Sequence, residues 1–345
     1  MQKIGIVGST GYTGFELLRL LTIHDSVQVV IVTSEKYSGK NVCDVFPSLN
    51  KYSSLKFEKF DDENFRDLDL VFCCLPHKVS MNIVPSLLKQ GNRVVDFSAD
   101  YRLKDQKIYE SWYEIEHASP ELIEKAVYGM PELYRKEIQE SQLIANPGCY
   151  PTGAILGLVP LAKKGLINPS SIVVDSKSGV SGAGRKESLQ FQFSEIEQGC
   201  KAYSIANHRH TPEIEQELSN AFGNDVKITF TPHLIPVTRG IFSTIYFEAS
   251  EKSEMSLINK TLSDFYAKEN FIRIFENQEN LDISQVIGTN FVDIKVTFDE
   301  RTNRYIMVTV IDNLVKGASG AAVQNMNVML KIPERKGLPD AGFWI

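Results

Sequence analysis

The chain has 345 residues, 43% of them hydrophobic and 23% charged, with a formal net charge of −6. That length exceeds one ordinary core and points to about two domains of a globular protein, while the acidic balance argues against a nucleic-acid partner held by bulk electrostatics. No apolar run approaches the roughly 20 residues that cross a bilayer, and five cysteines with Cys73 beside Cys74 make no disulfide framework. The expected setting is therefore cytoplasmic and reducing, with no membrane partner and, because Lys3 to Gly14 already reads as strand and turn, no signal peptide.

Lys3 to Val7 reads as a short buried strand, followed by Gly8, Ser9, Thr10, Gly11, Tyr12, Thr13 and Gly14 and then an apolar-periodic helix through Phe15, Leu17, Leu18 and Leu21. The G-x-x-G-x-x-G spacing at a first strand-to-helix turn suits a dinucleotide site: a tight turn, close backbone approach to a pyrophosphate, and a helix N-terminus aimed at it. The second strand, Val27 to Val32, ends in Thr33-Ser34-Glu35-Lys36. Ser34 and Lys36 suit a 2′-phosphate and favour NADP, while Glu35 leaves NAD open. A third strand, Leu68 to Leu75, ends at Pro76-His77, which brings Leu75 and Pro76 near the cofactor; Cys73 and Cys74 read as core, and His77 as a helix-entry residue. A fourth strand, Arg93 to Phe97, leads into Ser98-Ala99-Asp100-Tyr101-Arg102. Arg102 can offer its planar fork to a phosphate or carboxylate, or pair with Asp100 or Asp96.

Tyr109 to Glu140 is polar and partly helical, and returns to an apolar strand, Gln142 to Ala145. Asn146-Pro147-Gly148 turns the chain sharply, and Cys149 falls at the entrance of a buried helix through Ala154, Ile155, Leu156 and Leu158. Free N–H groups and the positive dipole end of a helix stabilise a thiolate, so a cysteine at that place is expected to be nucleophilic. Pro151 fits the first turn, where its missing N–H costs nothing.

Beyond it come a strand, Ser171 to Asp175, and a glycine-serine loop, Ser178 to Arg185, whose backbone N–H groups can approach a ligand closely. Thr211 and Pro212 read as the N-cap and first residue of a polar helix, which places His208 and His210 just outside its start. No further ligands stand at metal-site spacing, so no metal is expected. Acid-base work beside a cysteine suits these histidines, with Glu213 available to orient an imidazole. Strands then alternate with helical stretches: Val226 to Thr231, Gly240 to Glu248, Val292 to Phe298 and Tyr305 to Asp312, with helix near Met255 to Glu269. This half reads as a mixed or antiparallel sheet with helices on one side. Asp312 to Gly317 opens a last helix, Ala318 to Leu330.

Several motifs stand in order along nearly the whole chain: GSTGYTG (8–14), DFSADYR (96–102), YGMPEL (128–133), NPGCYPT (146–152), SGVSGAGR (178–185), HRHTPE (208–213), TPHLIPVTRG (231–240) and DNLVKGASG (312–320). Together they resemble the N-acetyl-gamma-glutamyl-phosphate reductase family of arginine biosynthesis. The resemblance implies an α/β protein with an NADP-binding Rossmann domain, residues 1–148 and 317–345, and an α+β catalytic and oligomerisation domain, residues 149–316, like that of aspartate-semialdehyde dehydrogenase. It implies NADP(H) as cofactor, a small acyl phosphate as substrate, and a homodimer or homotetramer. Carried over by position, Cys149 is the nucleophile, His208 and His210 the acid-base pair, and Ser178, Gly179 and Asn313 cofactor contacts; Arg102, Asn146, Arg209 and Lys316 are expected at the substrate. Ala321 and the tail from Gly337 to Ile345 depart from the pattern. In that chemistry the thiolate expels phosphate from the acyl phosphate and the thioester is reduced to an aldehyde. A sister reductase for aspartyl phosphate or a carrier-bound aminoadipyl phosphate, or a non-catalytic NADPH-sensing regulator, remains open at this point.

Overall fold

The computed structural model describes every residue except Lys186, 251–253, 278–279 and 344–345. It divides into two compact units: Met1–Pro147 with Ala318–Pro339, and Gly148–Gly317 with the chain from Asp340 onward. Residues 317–345 were expected with the first unit; in the structure Asp340 to Phe343 group with the second, where the Phe343 N–H donates to the Ile287 carbonyl at 2.9 Å.

The first unit is a parallel sheet built by strand-helix alternation: β1 (Gln2–Val7), α1 (Tyr12–Leu21), β2 (Val27–Thr33), α2 (Val42–Val45), β3 (Phe57–Glu58), β4 (Leu70–Cys73), α3 (Ser80–Lys89), β5 (Arg93–Asp96), α4 (Gln106–Tyr113), β6 (Val127–Tyr128), α5 (Pro131–Glu140) and β7 (Leu143–Ala145). The strand order is β3-β2-β1-β4-β5-β7-β6, and each pairing is parallel. Ile4, Ile6, Leu70, Val71, Phe72, Val94 and Val95 are fully buried, as strands covered on both faces require. The order reverses at β1, so the carboxyl ends of β1 and β4 flank the crevice where such folds bind ligands. The helix α10 (Gly320–Met329), from the far end of the chain, completes this unit and is buried along its whole length.

In the second unit α6 (Cys149–Lys163) leads to β8 (Val173–Gly179), α7 (Phe193–Ile196), β9 (Lys201–Ala202), α8 (Thr211–Phe222), β10 (Thr229–Ile235), β11 (Ile241–Phe247), α9 (Met255–Phe265), β12 (Ile272–Ile274), β13 (Val292–Asp299) and β14 (Arg304–Ile311). Its sheet runs β12-β13-β14-β11-β8-β10-β9 and is mixed: β8/β10 and β12/β13 are parallel, the other pairings antiparallel. Strict alternation assigns the faces. Ile241, Ser243, Ile245 and Phe247 are buried on one face, while Phe242, Thr244 and Tyr246, with Ile306 and Val308 of β14, stand half-buried on the other. This is the α/β architecture expected, a dinucleotide-type sheet plus a mixed-sheet unit. Among the described residues no helix is long and apolar enough to cross a membrane.

Candidate active site

The glycine turn of the first unit is tied to the end of β2. The Gly8 N–H donates to Thr33 Oγ1 and the Ser9 N–H to the Thr33 carbonyl, each at 3.0 Å, and the Thr10 and Ser34 hydroxyls lie 3.0 Å apart. Gly8 has φ +77°, and a Cβ there would meet the Cys74 carbonyl oxygen at 2.7 Å, so only glycine serves. Gly11, the N-cap of α1, is different: a Cβ added there meets nothing within 4 Å, and among the described residues no side chain caps the helix. The N–H groups of the first turn thus have no side-chain cap, and the Gly11 Cα leaves room beside them, which fits a pyrophosphate. Tyr12 is 41% exposed at the same turn, and Thr13 accepts through its carbonyl from the Ser319 hydroxyl. Ser34 is buried and Lys36 exposed, while Glu35 is turned to the Phe60 N–H at 3.4 Å. Sequence reasoning missed Tyr37, whose ring has the Lys36 and Lys40 ammonium groups 5.6 and 5.8 Å from its centre. Leu75 and Pro76 come two and three residues after the end of β4, half-buried and exposed.

Arg102 and Asn146, expected at the substrate, are buried in this unit with internal partners. Arg102 donates from Nε to the Asn146 carbonyl and from Nη2 to the Phe97 carbonyl, both at 2.8 Å. Asp100, weighed as its ion-pair partner, accepts from the Lys78 and Met81 N–H groups and the Tyr109 hydroxyl. The Asn146 amide donates to the Ala318 carbonyl at 3.0 Å and accepts from Asn325 at 3.1 Å, while its N–H donates to the Asp96 carbonyl at 2.8 Å. Four bonds therefore hold the end of β7, three residues before the thiol.

In the second unit Gly148 is the N-cap of α6 and Cys149 its first residue, half-buried. The Gly148 N–H donates to Glu213 Oε1 at 2.7 Å, and both groups are buried. Glu213, expected to orient an imidazole, grips the backbone immediately before the thiol through Oε1. The cap of α8 also differs by one residue: His210 (φ −82°, ψ −12°) is the N-cap and Thr211 the first helical residue.

His208 and His210 sit together, ring centres 4.8 Å apart, in an aromatic cluster. Tyr150 lies 5.5 and 5.8 Å from them, and Tyr203 and Phe230 each 5.4 Å from His208. The His210 N–H donates to His208 Nδ1 at 3.1 Å, which leaves the His208 proton on Nε2. Burial among these rings, with the Arg209 charge adding, lowers the His208 pKa to about 4, so it is neutral at neutral pH. Tyr203 donates to the Tyr150 hydroxyl at 3.0 Å and Tyr150 to the His233 carbonyl at 3.3 Å. Burial pushes both phenols up, Tyr203 to about 12, so both stay protonated. Tyr150 carries a sequence signal, its place beside Cys149; Tyr203 and Phe230 have none, since only the fold brings them to the histidines.

His233 itself stands apart. Alternation along β10 sends it to the opposite face from Phe230, where Nδ1 lies 3.0 Å from the Asp175 carboxylate. Ser178 and Asn313 are buried: the Ser178 hydroxyl donates to the Gly179 carbonyl, and Asn313 accepts from the Gly240 N–H at 2.7 Å and donates to Ser181 Oγ at 2.9 Å. Lys316 is buried with its ammonium 5.7 Å from the Phe271 ring centre, and Arg209 is exposed. The second unit thus gathers Cys149, Tyr150, Tyr203, His208, His210 and Glu213 around one helix entrance.

Comparison with known proteins gives this arrangement a family. Residues 3–141 match the family model described as "Semialdehyde dehydrogenase, NAD binding domain", and residues 149–313 match "Semialdehyde dehydrogenase, dimerisation domain". The chain is 50% identical to the N-acetyl-gamma-glutamyl-phosphate reductase of Geotalea daltonii over 100% of both chains, and 48% identical to that of Pelotomaculum thermopropionicum over 99% of both. Among solved structures it has the fold of aspartate semialdehyde dehydrogenase II from Vibrio cholerae (TM-score 0.72, 18% identity, 96% of this chain and 99% of that one). The Candida albicans aspartate semialdehyde dehydrogenase solved with NADP is similar in the same way (TM-score 0.72, 16% identity, 96% and 98%). An NAD(P)-binding unit joined to a unit of the dimerisation type, with full-length relatives of one name, makes this chain an oxidoreductase that belongs to the N-acetyl-gamma-glutamyl-phosphate reductase family.

Proposed function

We propose that the chain reduces N-acetyl-gamma-glutamyl phosphate to N-acetylglutamate 5-semialdehyde and phosphate, with Cys149 as the covalent nucleophile and NADPH as reductant. The observation that carries this reading is the half-buried cysteine at the first position of α6, next in the chain to Tyr150, whose ring packs on His208 and His210, and to Gly148, whose N–H is held by Glu213. The helix N-terminus favours negative charge on sulfur. The thiolate attacks the acyl carbonyl, the carbon–oxygen bond to phosphate breaks, and a thioester remains on Cys149. When bound, NADPH supplies the hydride that takes this thioester to the aldehyde level. The thiohemiacetal then collapses: the carbon–sulfur bond breaks, the thiolate is regenerated, and His210 manages the proton on the oxygen. His208, neutral with its proton on Nε2, donates a hydrogen bond and does not act as an imidazolium. Glu213, Arg102 and Asn146 hold the strand end and turn that present the thiol. Arg209 and Lys316 are the cations assigned to the substrate's phosphate and carboxylate.

The glycine turn 8–14, with Leu75 and Pro76, is assigned to the dinucleotide, and Ser34 with Lys36 to its 2′-phosphate. Glu35, engaged by the Phe60 N–H, does not compete for that place. Ser178, Gly179 and Asn313 are assigned to the nicotinamide end. The half-buried face around Phe242, Tyr246 and Val308 supports a homodimer or homotetramer; a monomer by sedimentation at micromolar concentration would refute it. A cytoplasmic, reducing setting suits five free cysteines. The deciding experiment is phosphate-dependent oxidation of N-acetylglutamate semialdehyde, aspartate semialdehyde and the longer aminoadipate homologue with NADP. Preference for either of the last two would overturn the substrate, and no turnover with any, together with an unreactive Cys149, would favour a regulator.

A further inference from the structure

The segment that follows β14 is not an ordinary helix start. Residues Val315–Ser319 form a π-helical turn ahead of α10, a rare conformation that recurs at functional sites. Asp312 anchors this turn from several directions. Its carboxylate accepts from the Leu314 N–H at 2.8 Å, the Val315 N–H at 3.3 Å and the Gly288 N–H at 2.7 Å, and lies 3.1 Å from Arg239 Nε. Its carbonyl accepts from the Gly317 N–H at 3.0 Å. Gly317 is thereby fixed against the nucleophile: a Cβ at 317 would stand 2.9 Å from Cys149 Cβ and 3.3 Å from Cys149 Cα. Those atoms are next to backbone and cannot swing away, and the backbone is itself held by Glu213 through Gly148.

We propose that Gly317, held by Asp312, is a positioning residue for the Cys149 thiol: its bare Cα lets the nucleophile sit at the helix entrance, and any side chain there displaces the sulfur. The proposal rests on the reading of Cys149 as the nucleophile and adds the element that sets its place. A cysteine has one side-chain torsion, so a shift of its Cβ passes straight to the sulfur. Misplacement of a reacting group by about 1 Å costs about 100-fold in rate. Asp312, with its carboxylate and its carbonyl both on the turn, transmits the position of Gly288 and Arg239 to the same spot.

The test is a comparison of Gly317→Ala, Asp312→Asn and Gly157→Ala in the full-length protein. Gly157 lies on the same helix two turns on, where a new Cβ meets the flexible Met307 thioether and the Thr309 methyl, so it reports ordinary packing strain. The readouts are the pH profile of iodoacetamide alkylation at Cys149, mapped by mass spectrometry, kcat and KM for the semialdehyde, and the thermal midpoint. Gly317→Ala should lower the alkylation plateau and kcat at least tenfold, with KM within threefold, while Gly157→Ala leaves alkylation within twofold whatever its midpoint. If Gly317→Ala does not fold, Asp312→Asn decides: it adds no atom near Cys149 but places an N–H₂ against the Gly288 N–H, and should slow alkylation at least threefold. Wild-type alkylation and kcat in the folded Gly317→Ala protein, or in Asp312→Asn where that variant decides, overturns the positioning role alone. Cys149→Ala that keeps turnover overturns the nucleophile and the proposal with it.

Discussion

His208 should make stability depend on pH in a window that its substitution removes. In the unfolded chain an imidazole titrates near 6.5, while in the fold burial among Tyr150, Tyr203 and Phe230 holds His208 down to about 4. A folded pKa below the unfolded one means that the unfolded chain takes up a proton first as pH falls. The native state therefore keeps its full stability above pH 6.5, loses it progressively as pH falls to about 4, and regains none of it below that. A drop from 6.5 to about 4 corresponds to about 3 kcal/mol. Asn is the substitution of choice, because its carbonyl can still accept from the His210 N–H where Nδ1 did. Asp96 works the other way: burial and the Asp100 charge raise it from 3.8 to about 6, so its contribution is full below 3.8 and lost as pH rises through 6. Since Asp96 is present in both proteins, the difference between wild type and His208→Asn cancels it. Urea unfolding of both proteins from pH 4 to 7.5 should give a stability difference that shifts by about 2 to 3 kcal/mol in favour of the variant at the acid end. A difference independent of pH would show that His208 is not held neutral and would reopen it as the proton carrier.

Three further outcomes follow from the site. Iodoacetamide should label Cys149 before the other cysteines, because burial raises the thiols of Cys73 and Cys74; peptide mapping that finds Cys43 or Cys200 labelled first counts against the mechanism. Lys36→Ala should weaken NADP binding about tenfold and NAD binding little, the loss of one charge-assisted contact; equal losses in calorimetric titration would remove Lys36 from the 2′-phosphate. Glu213→Ala, which leaves the buried Gly148 N–H without its acceptor, should cost about 1 to 3 kcal/mol of stability and slow Cys149 alkylation, while Glu213→Gln keeps an oxygen in place and restores most of both. Alkylation unchanged in Glu213→Ala would limit the carboxylate to a structural role.

Much of the first unit was legible because parallel strands covered on both faces read as continuous apolar runs, as at Ile4 to Val7 and Leu70 to Cys73. Boundaries in the second unit were harder. β10 runs to Ile235 through Pro232, which sequence reasoning takes as a strand stop. β9 pairs with only two residues of β10, so that strand is nearly an edge, where proline is tolerated. The Thr211-Pro212 pair mimics a cap and first residue, yet the chain enters helical angles one residue early, at His210. The partner of Glu213 lies 65 residues away at Gly148, and no local pattern encodes a contact of that separation. The same holds for the neutrality of His208, which depends on rings contributed by Tyr150, Tyr203 and Phe230. Arg102 could be read as a cation at a strand end, but not that two backbone carbonyls would claim its guanidinium.

The discontinuity of the first unit bears on how a nascent chain acquires its structure. Residues 148–317 are contiguous and contain every strand of the second sheet, so that sheet can form once Gly317 is available, before the segment from Asp340 to Phe343 is added to its unit. The first unit, although its sheet is synthesised earlier, lacks α10 until residues 318–339 emerge, and every residue of that helix is buried. Until then the surface that α10 covers is left as exposed apolar area, the condition in which partly folded chains associate. The sheet made first thus waits for a helix made after the second sheet, whereas the second sheet needs no strand from beyond Gly317. Limited proteolysis of ribosome-bound chains should find residues 148–317 protected before residues 1–147.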